Sequence, residues 1–113
     1  MIIPKSIKIG GHTYRVEVTN RFDLGRDNVS AEILYNDLVI RVSPDQARQK
    51  MESDLLHEVI HGLYHHLGYV QREDAKEEKE VEELAQALYQ VIQDNPELFM
   101  PTPNCTEETG DAD

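Results

Sequence analysis

A chain of 113 residues can hold one domain with a real hydrophobic core and is too short for two ordinary ones. Its 22 acidic against 11 basic side chains, a formal net charge of -11, repel phosphate backbones and leave no basic stripe for a duplex to follow, so nucleic acid is excluded as a leading partner. A single cysteine, Cys105, excludes an intramolecular disulfide and a Cys-x-x-Cys metal site, and no apolar run approaches the ~20 residues of a membrane span.

Met1-Ile2-Ile3-Pro4-Lys5 lacks the apolar core of a signal peptide, so a soluble, cytoplasmic protein is expected. Period-two alternation then predicts a strand with Ile7 and Ile9 on one face and a second with Tyr14, Val16 and Val18 on one face, Gly10-Gly11 forming the hairpin turn between them. Residues 20–28, containing Asp23, Gly25 and Asp27, read as a turn-rich loop. Two more strands, 31–35 and 38–42, flank Asn36-Asp37, a dipeptide suited to the positive backbone angles of a two-residue hairpin. Either strand of that second hairpin is a candidate for the edge of the sheet.

Ser43-Pro44-Asp45-Gln46 carries the signals of a helix start: a serine N-cap, proline at the first helical position, an acid in the first turn and glutamine where a capping box places it. The helix is predicted to run through Ala47, Met51 and Leu55 to Gly68, a left-handed C-cap, with Leu55, Leu56, Val59, Ile60, Leu63 and Leu67 as its apolar stripe. Gly62 costs about 1 kcal/mol in helix propensity, and close packing against another backbone is the expected reason for it. A second helix is predicted over 74–93, with Val81, Leu84, Ala85, Leu88, Val91 and Ile92 as its apolar face and Asp94-Asn95-Pro96 as its stop. Residues 101–113, with Pro101, Pro103 and a run of acids, read as a flexible tail in which Cys105 is an incidental thiol, so the single domain covers 1–100. The fold class is α+β: a small N-terminal sheet of about four strands followed by two helices.

The first of those helices contains His57-Glu58-Val59-Ile60-His61, an H-E-x-x-H word. Positions i and i+4 share a helix face, so both imidazoles can reach one metal ion at about 2.0 to 2.1 Å from each coordinating nitrogen. Glu58 projects about a quarter-turn to the side, where a general base for a metal-held water belongs. A catalytic zinc usually takes three protein ligands and a water, so a third ligand is required. His65 does not supply it, because three residues in an i, i+4, i+8 row span about 12 Å of helix axis. Position 64 is Tyr64 and position 67 is Leu67, so the metzincin continuation is absent as well. Among the acids opening the second helix, Glu78 falls on the side of Val81, Ala85 and Ile92 and is the preferred third ligand; Glu82, at the edge of that face, is the next choice, followed by Glu77 and Glu80.

The run Leu55-Leu56-His57-Glu58-Val59-Ile60-His61, preceded by two hairpins and followed by Val81-Glu82-Glu83-Leu84-Ala85 and Asp94-Asn95-Pro96, resembles the small phage-type zincin metallopeptidases, relatives of the ImmA/IrrE group. The likeness extends from Ile7 to Pro96. It implies a minimal zincin-like domain in which His57 and His61 bind Zn2+, Glu58 is the general base and a glutamate of the second helix completes the coordination. It further implies a hydrolase acting on a peptide or protein substrate in the cytoplasm, including a host cytoplasm for a phage protein. An exposed strand edge would hold an extended substrate by backbone pairing, and Tyr64, His65 and His66 are candidates to stabilise an oxyanion. The alternative is a non-catalytic, zinc-stabilised protein-interaction module, in which the ion ties the sheet to the helices. Oligomeric state and cleavage specificity have no signature in the sequence.

Overall fold

A computed structural model describes residues 2–22, 29–68 and 74–100. The fold is α+β, a four-stranded sheet followed by two helices. Strands β1 (Ser6–Ile9) and β2 (His12–Val18) pair antiparallel across the Gly10-Gly11 turn, with Ile7 opposite Tyr14. Gly10 sits at φ 61°, and a Cβ there would run into the His66 imidazole, so both backbone angle and packing demand glycine.

Strands β3 (Ala31–Leu34) and β4 (Val39–Val42) also pair antiparallel, with Leu34 opposite Val39. The connection is therefore a four-residue turn over 35–38, not the two-residue turn expected at Asn36-Asp37, and the positive φ falls on Leu38 at 57°. The rest of the fold holds Leu38 there: its carbonyl accepts the Arg15 N–H at 2.9 Å, and its side chain packs on the core. Strand order is β1-β2-β4-β3, with β2 and β4 parallel and Val16 opposite Ile40. Of the two strands proposed for the edge, β4 is thus interior and β3 is at the edge. Burial agrees with that place, because Val39, Ile40 and Val42 are 1%, 0% and 0% exposed, and Arg41 between them reaches Glu17 on β2 and Glu32 on β3, one on each neighbouring strand.

Helix α1 is Arg48–His66 and begins later than its start signal suggests. Ser43 is still held as an extension of β4, its N–H donating to the Ser30 carbonyl at 2.8 Å. Its hydroxyl accepts from the Asp45 N–H at 3.1 Å and donates to Asn20 at 2.6 Å, so the supposed cap closes a local turn and ties down residue 20. The chain turns through Ala47 before the helix is free to start. At the other end Gly68, at φ 87°, donates its N–H to the His65 carbonyl at 3.1 Å and closes the helix as its sequence implies.

α1 lies across the sheet, and Leu55 joins Ile9, Tyr14, Ile40 and Val42 in the main core, with Ile33 and Val59 packed against them. Gly62 is buried where a Cβ would come 2.8 Å from Ile9 Cδ1 and 3.2 Å from Ile33 Cδ1, so the close approach is to side chains of β1 and β3 instead of a backbone. The apolar stripe ends there, since Leu63 and Leu67 are exposed. Helix α2 (Asp74–Asp94) returns antiparallel along α1, joining Ile60 to Val81 and Ala85 in a second cluster flanked by Leu56, Tyr64 and Leu88; Leu84, expected on the buried face, is exposed. Asn95 and a 3-10 turn over Pro96–Phe99 end it. Residues 23–28 of the predicted loop, and 101–113 with Cys105, lie outside the described residues. Among the described residues no helix is long and apolar enough to cross a membrane.

Candidate metal centre

The antiparallel α1–α2 pair sets two side chains one turn apart on α1 against two one turn apart on α2. His57 and His61 therefore face Glu82 and Glu78, and Glu77 falls beside His61. The Glu78 carboxylate lies between the two rings: Oε2 is 2.9 Å from His57 Nε2 and Oε1 is 2.9 Å from His61 Nε2. The rings are 4.9 Å apart between centroids and tilted by 56°. One ligand atom from each of His57, His61 and Glu78 lies within 4.8 Å of the other two. Two imidazole nitrogens and a carboxylate are a donor set that zinc takes with three protein ligands, leaving a position for water or substrate. Glu78 is more than half exposed while both histidines are largely covered, so the group opens to solvent on the α2 side.

The far side of each ring is engaged too. His57 Nδ1 is 2.9 Å from Glu82 Oε1, and His61 Nδ1 is 2.8 Å from Glu77 Oε2. In the tautomer whose Nδ1–H donates to these acids, each ring presents its Nε2 lone pair toward a Glu78 oxygen, acceptor against acceptor. A cation between them converts that repulsion into ligation, and on this ground the residues fit a divalent metal.

Glu58 is 8% exposed, and burial pushes its carboxyl up to about 7; the charge of His61 opposes the rise, while Glu78, Asp54 and Glu32 add to it. A carboxyl beside two candidate ligands and balanced near neutrality is suited to taking and returning a proton. Tyr35, the first residue after β3, was not singled out by its sequence. Its hydroxyl donates to the His61 carbonyl at 3.4 Å, and its ring stacks on His65 with centroids 4.0 Å apart and planes within 11°. Burial, then the charges of Glu77 and Glu58, hold its phenol well above the ordinary tyrosine range. The only signal for it was position, at the end of a strand. Of the residues considered for an oxyanion, Tyr64 donates to Glu80 at 3.4 Å, His65 stacks on Tyr35, and His66 covers the Gly10 turn; each is occupied away from the Glu78 carboxylate.

No family model, curated protein or solved structure matches the chain, so the reading of this site rests on its geometry and its residue types.

Proposed function

We propose that the chain is a zinc-dependent peptidase with a minimal zincin-like domain. His57, His61 and Glu78 hold the ion, and Glu58 is the general base. The observation that carries this reading is the approach of both Nε2 atoms to one carboxylate at 2.9 Å, with a buried glutamate on the adjoining face of the same helix turn. Bound there, zinc supplies Lewis acidity, which polarises a carbonyl and makes water a stronger acid. Glu58 takes a proton from the attacking water and later delivers it to the nitrogen of the departing amine. Burial, which holds its carboxyl above the ordinary glutamate range in the metal-free chain, favours a group that both accepts and returns a proton. Strand β3 ends the sheet on its outer side and packs against α1, so its free edge is the place for an extended peptide to pair beside the histidines. The net charge of -11 disfavours a polyanionic ligand and agrees with a peptide or protein substrate, for which we propose a cytoplasmic setting. Glu58→Gln tests the reading: the variant is expected to bind one zinc per chain and to lose hydrolysis of a fluorogenic peptide library. Wild-type turnover in that variant would end it.

A further inference from the structure

We propose that Glu77 and Glu82 are positioning residues for the metal centre: each accepts a hydrogen bond from the Nδ1–H of one histidine and so commits both Nε2 lone pairs to the ion. The inference rests on the metal-binding reading given above and extends it to two side chains that would not touch the metal. An imidazole with one proton can carry it on either nitrogen, and only the Nδ1–H form presents Nε2 as a ligand. Left alone, His57 and His61 would divide between the two forms, and the Nε2–H form would donate to Glu78 and close the site. Glu82 Oε1 at 2.9 Å from His57 Nδ1 and Glu77 Oε2 at 2.8 Å from His61 Nδ1 oppose that outcome at both rings at once.

The arrangement follows from the helix pair. Residues 78 and 82 are one turn apart on α2, as 57 and 61 are on α1, and residue 77 adjoins 78 on the side of His61. The six positions 77–82 of α2 therefore supply one ligand and an orienting carboxylate for each histidine. Both orienting groups are themselves secured. Glu82 accepts from the Gln86 amide through its second oxygen, and the Glu77 side chain is only 17% exposed, so water competes weakly for its bond to His61. The two carboxylates also add negative charge around the site, which makes each bound imidazole a stronger donor to a cation.

The test is zinc affinity, measured by competition with a chromophoric chelator at pH 7.5. Glu77→Ala and Glu82→Ala are each expected to weaken zinc binding by about 10- to 100-fold. Glu77→Gln and Glu82→Gln keep an oxygen acceptor and lose only the charge, so they are expected to recover most of that loss. Glu83→Gln removes an exposed acid of the same helix that is paired with Lys79 at 2.9 Å and not with either histidine, and is expected to change affinity by less than about 3-fold. A second readout is exchange of the ring Nδ1 protons with water in the zinc-loaded protein, followed by nitrogen-15 NMR. Exchange is expected to be slow in wild type and to quicken at His57 in Glu82→Ala and at His61 in Glu77→Ala. Alanine variants that bind zinc as wild type does, or glutamine variants as weak as the alanine ones, overturn the proposal and leave the metal site standing. A wild-type chain that binds no zinc overturns both.

Discussion

Glu52 and Glu58 lie on the same helix, six positions apart, and are equally withdrawn from solvent at 5% and 8% exposure, yet their surroundings are opposite. Glu52 is saturated. It accepts from the Tyr89 hydroxyl at 2.8 Å and the Gln93 amide at 3.3 Å, both on α2, and pairs with Arg48 at 3.1 Å. Burial by itself would raise its pKa, but the Tyr89 and Arg48 bonds outweigh it, and the carboxyl stays below the ordinary glutamate range. Glu58 is raised to about 7 by the same burial, its neighbours being mostly acids. One buried glutamate is thus held as a fixed anion that joins two helices. The other is left able to change its charge. Helix position and burial do not separate the two; the supply of donors does.

The largest effect that can break this contrast is on turnover. Glu58→Gln is expected to lower peptide hydrolysis by about 10²- to 10⁴-fold, the range for loss of a general base, whereas Glu52→Gln is expected to stay within about 2-fold of wild type. Initial rates on the same peptide library, with zinc content measured for each variant, check both. Equal losses in the two would mean that neither carboxyl is special to the chemistry.

On stability the order reverses. Glu52→Ala removes the charged acceptor of the half-buried Tyr89 hydroxyl and the exposed Gln93 amide and is expected to cost about 1 to 3 kcal/mol in urea unfolding of the metal-free protein. Glu58→Gln is expected to cost less than about 1 kcal/mol, because it removes a charge that burial already disfavours. If Glu58→Gln proves the more damaging, Glu58 is a structural residue.

Metal removal sharpens the same division. The sheet core around Ile40 and the Glu52 network contain no candidate ligand, so the chain is expected to remain folded in excess chelator. Zinc at 100 times its Kd is expected to add about 2.7 kcal/mol of apparent stability, read as a rise in Tm. Unfolding on chelation, with no hydrolysis by the zinc-loaded form, would instead favour a zinc-stabilised interaction module.

What was legible in the sequence was periodic or local. Alternation located β1 and β2, the Asn36-Asp37 turn signal located β3 and β4 on either side of it, Gly10-Gly11 and Gly68 marked a turn and a cap, and an i, i+4 spacing put His57 and His61 on one face. The phase of α2 set Glu78 with Val81 and Ala85, and the fold brings that carboxylate to both rings. The rest depended on partners that no local pattern encodes. A turn signal says that a strand follows Asn36-Asp37 but not that it inserts beside β2, and the Ser43 cap signal lost to a hydrogen bond reaching back to Ser30. Nothing in the sequence marks Glu52, because its donors, Tyr89 and Gln93, are 37 and 41 residues away. Tyr35 escaped notice for a similar reason, since its partners His61 and His65 lie on α1.

The smallest expected effect concerns pH and tests the anionic state of Glu52 directly. Its folded pKa lies below the ordinary value of 4.5, so between those two values the unfolded chain binds more protons than the folded one. By linkage, stability rises with pH across that window. The contribution is fully present above pH 4.5 and is lost as pH falls through the folded pKa. Glu52→Gln retains an acceptor for Tyr89 but has no charge to titrate, so its stability relative to wild type is expected to be lowest above pH 5 and to converge on wild type toward pH 3. Urea unfolding midpoints of the two metal-free proteins across that range measure the difference. Curves that remain parallel would mean that Glu52 is not held ionised by its partners. The opposition between a fixed and a titratable glutamate on one helix would then lose its structural half, and Glu58 would need a control elsewhere in the molecule.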